Sequence, residues 1–80
     1  MHVDTIREAI RRQPFLPFVL RMNDGREFQI PHPDYVAVSR REVYVIDQQT
    51  DAGVFLEPMV IASLEPRPRP PQAPVEPQSA

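Results

Sequence analysis

The sequence predicts a mostly β domain of the α+β type, in which a short N-terminal helix packs on a small, bent, five-stranded antiparallel β-barrel. Two observations carry this prediction. Apolar and polar residues alternate in five short runs between residues 18 and 64, as they do in strands with one buried face. Gly, Pro and Asp residues separate those runs at the short spacing that is typical of a small barrel or sandwich.

The N-terminal helix is predicted from the stretch "VDTIREAIRRQP". Thr5 and Glu8 have the spacing of a capping box, in which each side chain accepts a hydrogen bond from the other residue's free backbone N–H. Pro14 cannot continue a helix and disfavours helical geometry at the residue before it. An apolar stripe at helical spacing predicts the buried face, which consists of Val3, Ile6, Ala9 and Ile10. Because so short a helix is unstable alone, it must pack on the strands.

The strands are predicted from alternation on both sides of short turns. In "PFVLRMNDGREFQI", Asp24-Gly25 lies between two alternating runs and predicts a type I′ hairpin turn with positive φ at both residues. "YVAVS" and "EVYVID" form a second hairpin around residues 39–41, and "DAGVFLE" and "MVIASLE" lie on either side of Pro58. A strand from residue 26 to residue 39 would have to bend, because Pro31 and Pro33 each remove a ladder N–H.

The tripeptide His32-Pro33-Asp34 lies in that bend. The same tripeptide occurs in J-domain co-chaperones, where it caps a loop between two long helices. Here strand patterns precede and follow it, so the context favours an exposed corner of a bent strand over a co-chaperone motif. The only other histidine is His2, and no spacing of possible ligands predicts a metal site or another cofactor site.

The chain divides into a domain at residues 1–65 and a disordered, proline-rich C-terminal tail at residues 66–80. Six of the 11 prolines fall in the tail, which has few apolar residues to bury. Such a segment favours polyproline II, so it could be a ligand for an aromatic-lined groove of a protein partner or only a linker. Both interpretations stay open.

Composition limits how this small domain can be stabilised and what it can bind. The sequence has no Cys, which excludes disulfides and thiolate zinc sites. Oligomerisation is the remaining common way for a core of this size to gain stability. The net charge of −2 gives no global positive field, so nucleic acid would need a local basic patch. Without an apolar leader or a membrane-length apolar run, the sequence predicts a cytoplasmic protein with no membrane association.

The order of elements and several motifs resemble the Sm-like fold, especially the bacterial RNA chaperone family Hfq, and more loosely the SH3-like barrels. The resemblance runs from "IREAIRR" through "VLRMNDGREFQI" and "HPDYVAV" to "VFLEPMVIASLEP". It implies a closed barrel whose last two strands join subunits into a ring. Glu57-Pro58 stands where the Hfq pattern has its uridine-binding Lys-His pair, so that RNA site does not carry over. The "IREAIRRQPFLPF", "DGR" and "HPDYVAV" segments also resemble small bacterial proteins of hypothetical open reading frames.

Candidate binding residues come from charge and from one aromatic side chain. No nucleophile elbow, phosphate loop or metal-ligand cluster is present, so the sequence predicts no catalytic residue, no enzyme and no small-molecule substrate. If RNA binds, the candidate residues are Arg7, Arg11, Arg12, Arg40, Arg41 and Tyr35. The alternative interpretation is a solvated helix face, partly neutralised by Asp4 and Glu8.

Two functional hypotheses follow. The first, slightly preferred, is a non-catalytic interaction or scaffold module that forms a homo-oligomer by pairing strand edges. Its candidate edge is apolar and consists of Val54, Phe55, Leu56, Val60 and Ala62. The second is an Sm-like, Hfq-like RNA-binding protein that uses the arginines.

Overall fold

The structure is a computed structural model, and it describes residues 1–67. The predicted tail at residues 66–80 therefore lies outside the described residues, except for Pro66 and Arg67. The described part of the chain contains one α-helix, six strands and two 3-10 turns. In chain order these are α1 (Val3–Arg11), β1 (Phe18–Met22), β2 (Glu27–Ile30), a turn at Pro33–Tyr35, β3 (Val36–Val38), β4 (Val43–Asp47), β5 (Ala52–Leu56), a turn at Pro58–Val60 and β6 (Ile61–Pro66).

The strands form two separate three-stranded antiparallel sheets, so the predicted five-stranded barrel, Sm-like or SH3-like, is wrong. The first sheet has the order β2-β1-β6, and the second sheet has the order β3-β4-β5. Closure between neighbouring strands of the chain would need two ladders, one that joins β2 to β3 and one that joins β5 to β6. Proline-containing turns separate both of those pairs instead, and proline cannot donate to a ladder. The long bent strand expected from residue 26 to 39 is therefore two strands in two sheets.

The inner faces of both sheets and one face of α1 share a single hydrophobic core. Phe18, Leu20 and Ile30 of the first sheet and Val43 and Val45 of the second are at most 2% exposed. Val3 and Ile6 of the helix belong to the same cluster, with Ala9 and Ile10 partly buried against it. The expected apolar stripe of α1 is thus confirmed. No polar or charged residue among residues 1–67 is buried.

The cap of α1 differs from the capping box expected at Thr5 and Glu8. The N-cap residue is His2, whose Nδ1 accepts a hydrogen bond from the backbone N–H of Asp4 at 3.1 Å. Thr5 already lies inside the helix, and its own N–H donates to the backbone oxygen of His2 at 3.1 Å. A capping box requires its Ser or Thr in extended geometry before the first turn, which this earlier start excludes.

The first hairpin turn is also of a different type from the one predicted. Gly25 has φ of +92°, whereas Asp24 is not among the positive-φ residues, so the two-residue type I′ turn does not form. The Gly25 N–H donates to the Met22 oxygen at 3.0 Å, and the Met22 N–H donates to the Arg26 oxygen at 2.8 Å. These bonds define a three-residue loop in which only the glycine needs the left-handed region.

The corner predicted at His32-Pro33-Asp34 is present, with a different role. His32 is the extended residue before the 3-10 turn at Pro33–Tyr35, and both His32 and Asp34 are exposed. The chain passes here from the first sheet to the second. The corner thus connects two sheets, where a bend within one barrel strand was expected.

Candidate functional site

The open edge of β5 is the most distinctive surface of the second sheet. β5 pairs only with β4, through a register from Val43 opposite Leu56 to Asp47 opposite Ala52. An edge strand presents unpaired backbone N–H and C=O groups to solvent, and proteins usually protect such edges with charge, proline or short length. The β5 sequence, Ala-Gly-Val-Phe-Leu, contains neither a charge nor a proline.

The other edge strands carry such protection. β2 has Glu27 at its start, β6 has Glu65 and Pro66 at its end, and β3 is only three residues long. Among the described edge strands, β5 is therefore the one that has no charged residue, no proline and a length above three residues.

An aromatic pair lies on the solvent face next to that edge. Phe55 of β5 is opposite Tyr44 of β4, and the two ring centroids are 4.7 Å apart with an interplanar angle of 59°. Tilted pairs at this separation are favourable beyond the area that they bury. Phe55 is nevertheless 69% exposed and Tyr44 37% exposed. The register places Ala37 of β3 opposite Tyr44, so the three residues form one row across the sheet.

Gly53 allows the tyrosine to lie where it does. It is opposite Ile46 in the ladder and is therefore a diagonal neighbour of Tyr44. A Cβ atom at position 53 would occupy the space of the Tyr44 ring, because the three nearest heavy atoms all belong to that side chain. The ring thus covers the bare backbone of β5 and is held against Phe55.

The five residues of the predicted oligomer edge fall on two different sheets. Val54, Phe55 and Leu56 lie together in β5, where Phe55 points to solvent, Val54 is half-buried and Leu56 is in the core. Val60 and Ala62 are exposed, but Val60 ends the turn at Pro58–Val60 and Ala62 lies near the start of β6, an edge strand of the first sheet. The backbone oxygen of Val60 accepts a hydrogen bond from the Asn23 N–H at 2.8 Å. The predicted set is therefore not one continuous edge.

One of the predicted basic residues, Arg7, contacts the hairpin that carries two of the others. Arg7 donates to Asp4 at 2.7 Å and, at 3.4 Å, to the backbone oxygen of Ser39. The second bond ties α1 to the β3–β4 hairpin, whose tip carries the exposed Arg40 and Arg41.

The remaining candidates for RNA contact differ in exposure. Arg11 and Arg12 are exposed at the end of α1. Tyr35 is half-buried in the 3-10 turn and packs against the core, so only part of its ring faces solvent.

The outer face of the first sheet is polar. The Arg21 guanidinium contacts Glu27 at 2.8 Å and Glu65 at 3.2 Å, and the Ser63 hydroxyl donates to Glu65 at 3.0 Å. Hydrogen bonding to Glu65, followed by the negative charge of Glu27, raises the pKa of Arg21. Val19 lies on this face between Gln29 and Glu65, yet it is only 1% exposed. Long polar side chains thus cover this face.

Sequence reasoning missed Tyr44, Gly53 and the network around Arg21. The alternation in "EVYVID" and "GVFLE" was the signal that could have placed Tyr44 and Phe55 on the solvent face of adjacent strands. Their pairing depends on the register of the hairpin, which the length of the loop at residues 48–51 fixes and which alternation alone does not reveal.

Residues 1–67 were also compared with the features of a metal site and of a membrane-spanning helix. Among residues 1–67, no group of three or more His, Asp or Glu side chains could hold a metal ion. In the same range, no helix is long and apolar enough to cross a membrane.

The carboxyl group of Asp24, in the first hairpin turn, has a lowered pKa. Hydrogen bonding from the Arg26 backbone N–H lowers the pKa of Asp24. That contact stabilises the first hairpin turn.

Comparison with known proteins assigns the chain to no class. No protein-family model matches it, and neither a curated protein nor a solved structure is significantly similar to it. The resemblance to Sm-like proteins and to small bacterial open reading frames therefore stays a prediction, while the closed barrel that it implied is absent.

Proposed function

We propose that this protein is a non-catalytic interaction module that self-associates through the open edge of β5. The observation that supports the proposal is a five-residue edge strand without charge or proline, beside a phenylalanine that is 69% exposed. Pairing with another strand would satisfy the free backbone groups of β5 and remove Phe55 from water.

The expected affinity follows from opposing contributions. Burying an exposed phenylalanine contributes about 1.5–3 kcal/mol, and each net hydrogen bond contributes about 0.5–1.5 kcal/mol. Loss of translational and rotational freedom costs about 4–15 kcal/mol. Because these contributions nearly offset each other, one edge of five residues supports at most a weak complex, and association is best sought between about 1 µM and 1 mM, which corresponds to about −8 to −4 kcal/mol.

The test is the absolute mass of the full chain by light scattering across that concentration range. We expect the mass to rise with concentration, and we expect Phe55→Lys to remove the rise because a charge on an edge opposes pairing. Met59→Lys is the matched control, since Met59 is 75% exposed and lies outside β5. A full chain that stays monomeric throughout the range would refute the proposal, as would a Phe55→Lys variant that associates normally.

RNA binding through the arginines is the second candidate function. It is supported by the hydrogen bond from Arg7 to Ser39, which holds the helix next to the hairpin tip that carries Arg40 and Arg41. Single-stranded RNA should then bind with an affinity that falls steeply with salt. Substituting Arg40 and Arg41 by alanine should weaken binding and reduce the salt dependence, whereas Arg26→Ala in the first hairpin should not. Absence of binding at low salt would exclude this candidate.

Two further expectations from the sequence remain part of the proposal. The first is a cytoplasmic location. The second is recruitment of a protein partner by the proline-rich segment, whose prolines beyond Pro66 lie outside the described residues.

A further inference from the structure

We infer that two copies of the chain pair β5 with β5 in antiparallel orientation, with the two-fold axis passing beside Phe55. The inference rests on the proposed self-association and adds its register and symmetry. In this arrangement each Phe55 is opposite the Phe55 of the second copy, Val54 is opposite Leu56, and Gly53 is opposite Glu57. The two second sheets become one six-stranded sheet.

The antiparallel two-fold arrangement allows few registers. Residues that are opposite each other in a sheet point to the same face, and along one strand only residues an even number of positions apart share a face. Two residues that pair across the axis must therefore be an even number of positions apart in the sequence. The axis then passes beside one residue of β5 and not between two neighbouring residues. An axis at Ala52, the first residue of β5, would pair Gly53 with the turn before the strand and leave no ladder. The remaining candidate positions are Gly53, Val54, Phe55 and Leu56, and the flanking residues distinguish them.

An axis at Val54 places Asp51 opposite Glu57 of the second copy, twice in each dimer. Like charges directly opposite each other destabilise a strand pair. An axis at Gly53 places Phe55 opposite Asp51, which lies in the turn with φ of 60° and is not extended. An axis at Leu56 places Val54 opposite Pro58, which has no N–H for the ladder.

An axis at Phe55 avoids all three problems. The paired residues then run from Gly53 to Glu57, and Glu57 is extended, with φ of −81° and ψ of 135°. No two charged residues are opposite each other in this stretch. It is the register that the sequence around β5 favours.

The same register extends the aromatic row. Opposite residues on paired strands have Cβ atoms about 4.5–5.5 Å apart, which suits contact between aromatic rings. Two Phe55 rings would meet at the axis. The centroid of each ring is already 4.7 Å from that of Tyr44 in its own chain. The face would thus carry four consecutive rings, and the most exposed aromatic residue described, Phe55, would lie at its centre.

Single-cysteine variants test the register, because the native chain has no cysteine and any disulfide must form through the introduced residue. With the axis at Phe55, the Cα atoms of two Phe55→Cys residues are about 4.5–5.5 Å apart, within the range for a disulfide. Two Val54→Cys residues are offset by two positions along the strand, which separates their Cα atoms by more than about 7 Å and prevents a bridge.

The variants are oxidised at a concentration at which the full chain is associated. We expect Phe55→Cys to form a covalent dimer at least about tenfold faster than Val54→Cys. Faster cross-linking of Val54→Cys, or no cross-linking of either variant while the native chain is dimeric, would refute the register and leave self-association intact. A native chain that is monomeric at all concentrations would refute both.

A second measurement keeps Phe55 in place, since its loss weakens the pairing that is being tested. Asp51→Asn tolerates the positive φ at that position, as asparagine commonly does. With the axis at Phe55, Asp51 has no charged partner, and the dissociation constant of the dimer should stay within about twofold of the native value. Tighter association of this variant would instead indicate the register centred on Val54. A mass that rises above that of a dimer and that Phe55→Lys reduces to that of a monomer would refute the two-fold arrangement, because pairing of one edge about a two-fold axis is complete with two copies.

Discussion

Substitution of Gly53 by alanine should have opposite effects depending on whether Tyr44 is present. In a Tyr44→Ala background the new methyl group enters the space that the ring has vacated. Replacing glycine by alanine at a compatible φ then stabilises the fold by about 0.4–1 kcal/mol, because the unfolded chain loses conformational freedom. In the native chain the same methyl group collides with the ring.

The difference in stability between the two backgrounds follows from the contact that the Tyr44 ring loses when it moves. To make room, Tyr44 has to leave Phe55, which forfeits a tilted aromatic contact of about 0.5–1.5 kcal/mol. The gain from alanine is then cancelled or reversed. We expect a coupling free energy between positions 44 and 53 of about 1 kcal/mol, which corresponds to about 4–8 °C in melting temperature for a domain of this size.

The assay is a double-mutant cycle from urea unfolding followed by circular dichroism. Four proteins are compared: the native chain, Gly53→Ala, Tyr44→Ala and the double variant. Each is measured at a concentration where its unfolding midpoint no longer depends on concentration, so that association does not contribute. Additive effects, within about 0.3 kcal/mol, would refute the claim that the ring and the glycine share one space.

Three further predictions concern the core and the two charged contacts. Leu20→Ala, at a site that is fully buried, should lower the free energy of unfolding by about 2–5 kcal/mol in urea titrations, and a smaller loss would mean that the core collapses around the gap. Because the Arg26 N–H lowers the pKa of Asp24, that carboxylate contributes stability above its unfolded pKa of about 3.9 and loses it as the pH falls through the lower folded pKa. Asp24→Asn should therefore reduce the acid sensitivity of the melting temperature below about pH 4, and an unchanged pH profile would contradict this. Arg21→Ala removes the positive charge that lies between the carboxylates of Glu27 and Glu65. It should therefore lower the melting temperature at low salt and less so at high salt, whereas equal effects at both would exclude an electrostatic origin.

Local patterns predicted most of the elements, since each depends on residues close in sequence. The helix near residues 3–11, the hairpins and the exposed corner at His32 all follow from alternation, apolar spacing and proline positions. Closure of the sheet did not follow from them. Whether β2 and β3 form one bent strand or two strands in different sheets depends on which ladder their backbone groups join, and alternation is the same in both cases.

The apolar edge was predicted only in part for a similar reason. The apolar run at residues 54–56 indicated an edge, and the structure places these residues on one. Assigning Val60 and Ala62 to the same edge assumed that the last two strands pair, as in a closed ring. The turn at Pro58–Val60 directs β6 to β1 instead, so that Leu20 is opposite Leu64. Long-range pairing of this kind has no local signature.

The division into two sheets also sets the order in which the chain can complete them during synthesis. The second sheet is built from consecutive strands, β3 to β5, and is finished once Leu56 has emerged. The first sheet needs β6, which pairs with a strand made near the beginning of the chain. Nearby strands find each other sooner than distant ones. The open edge of β5 is therefore exposed before the domain itself is complete. If the proposed self-association takes place through this edge, assembly on the ribosome can precede the last step of folding.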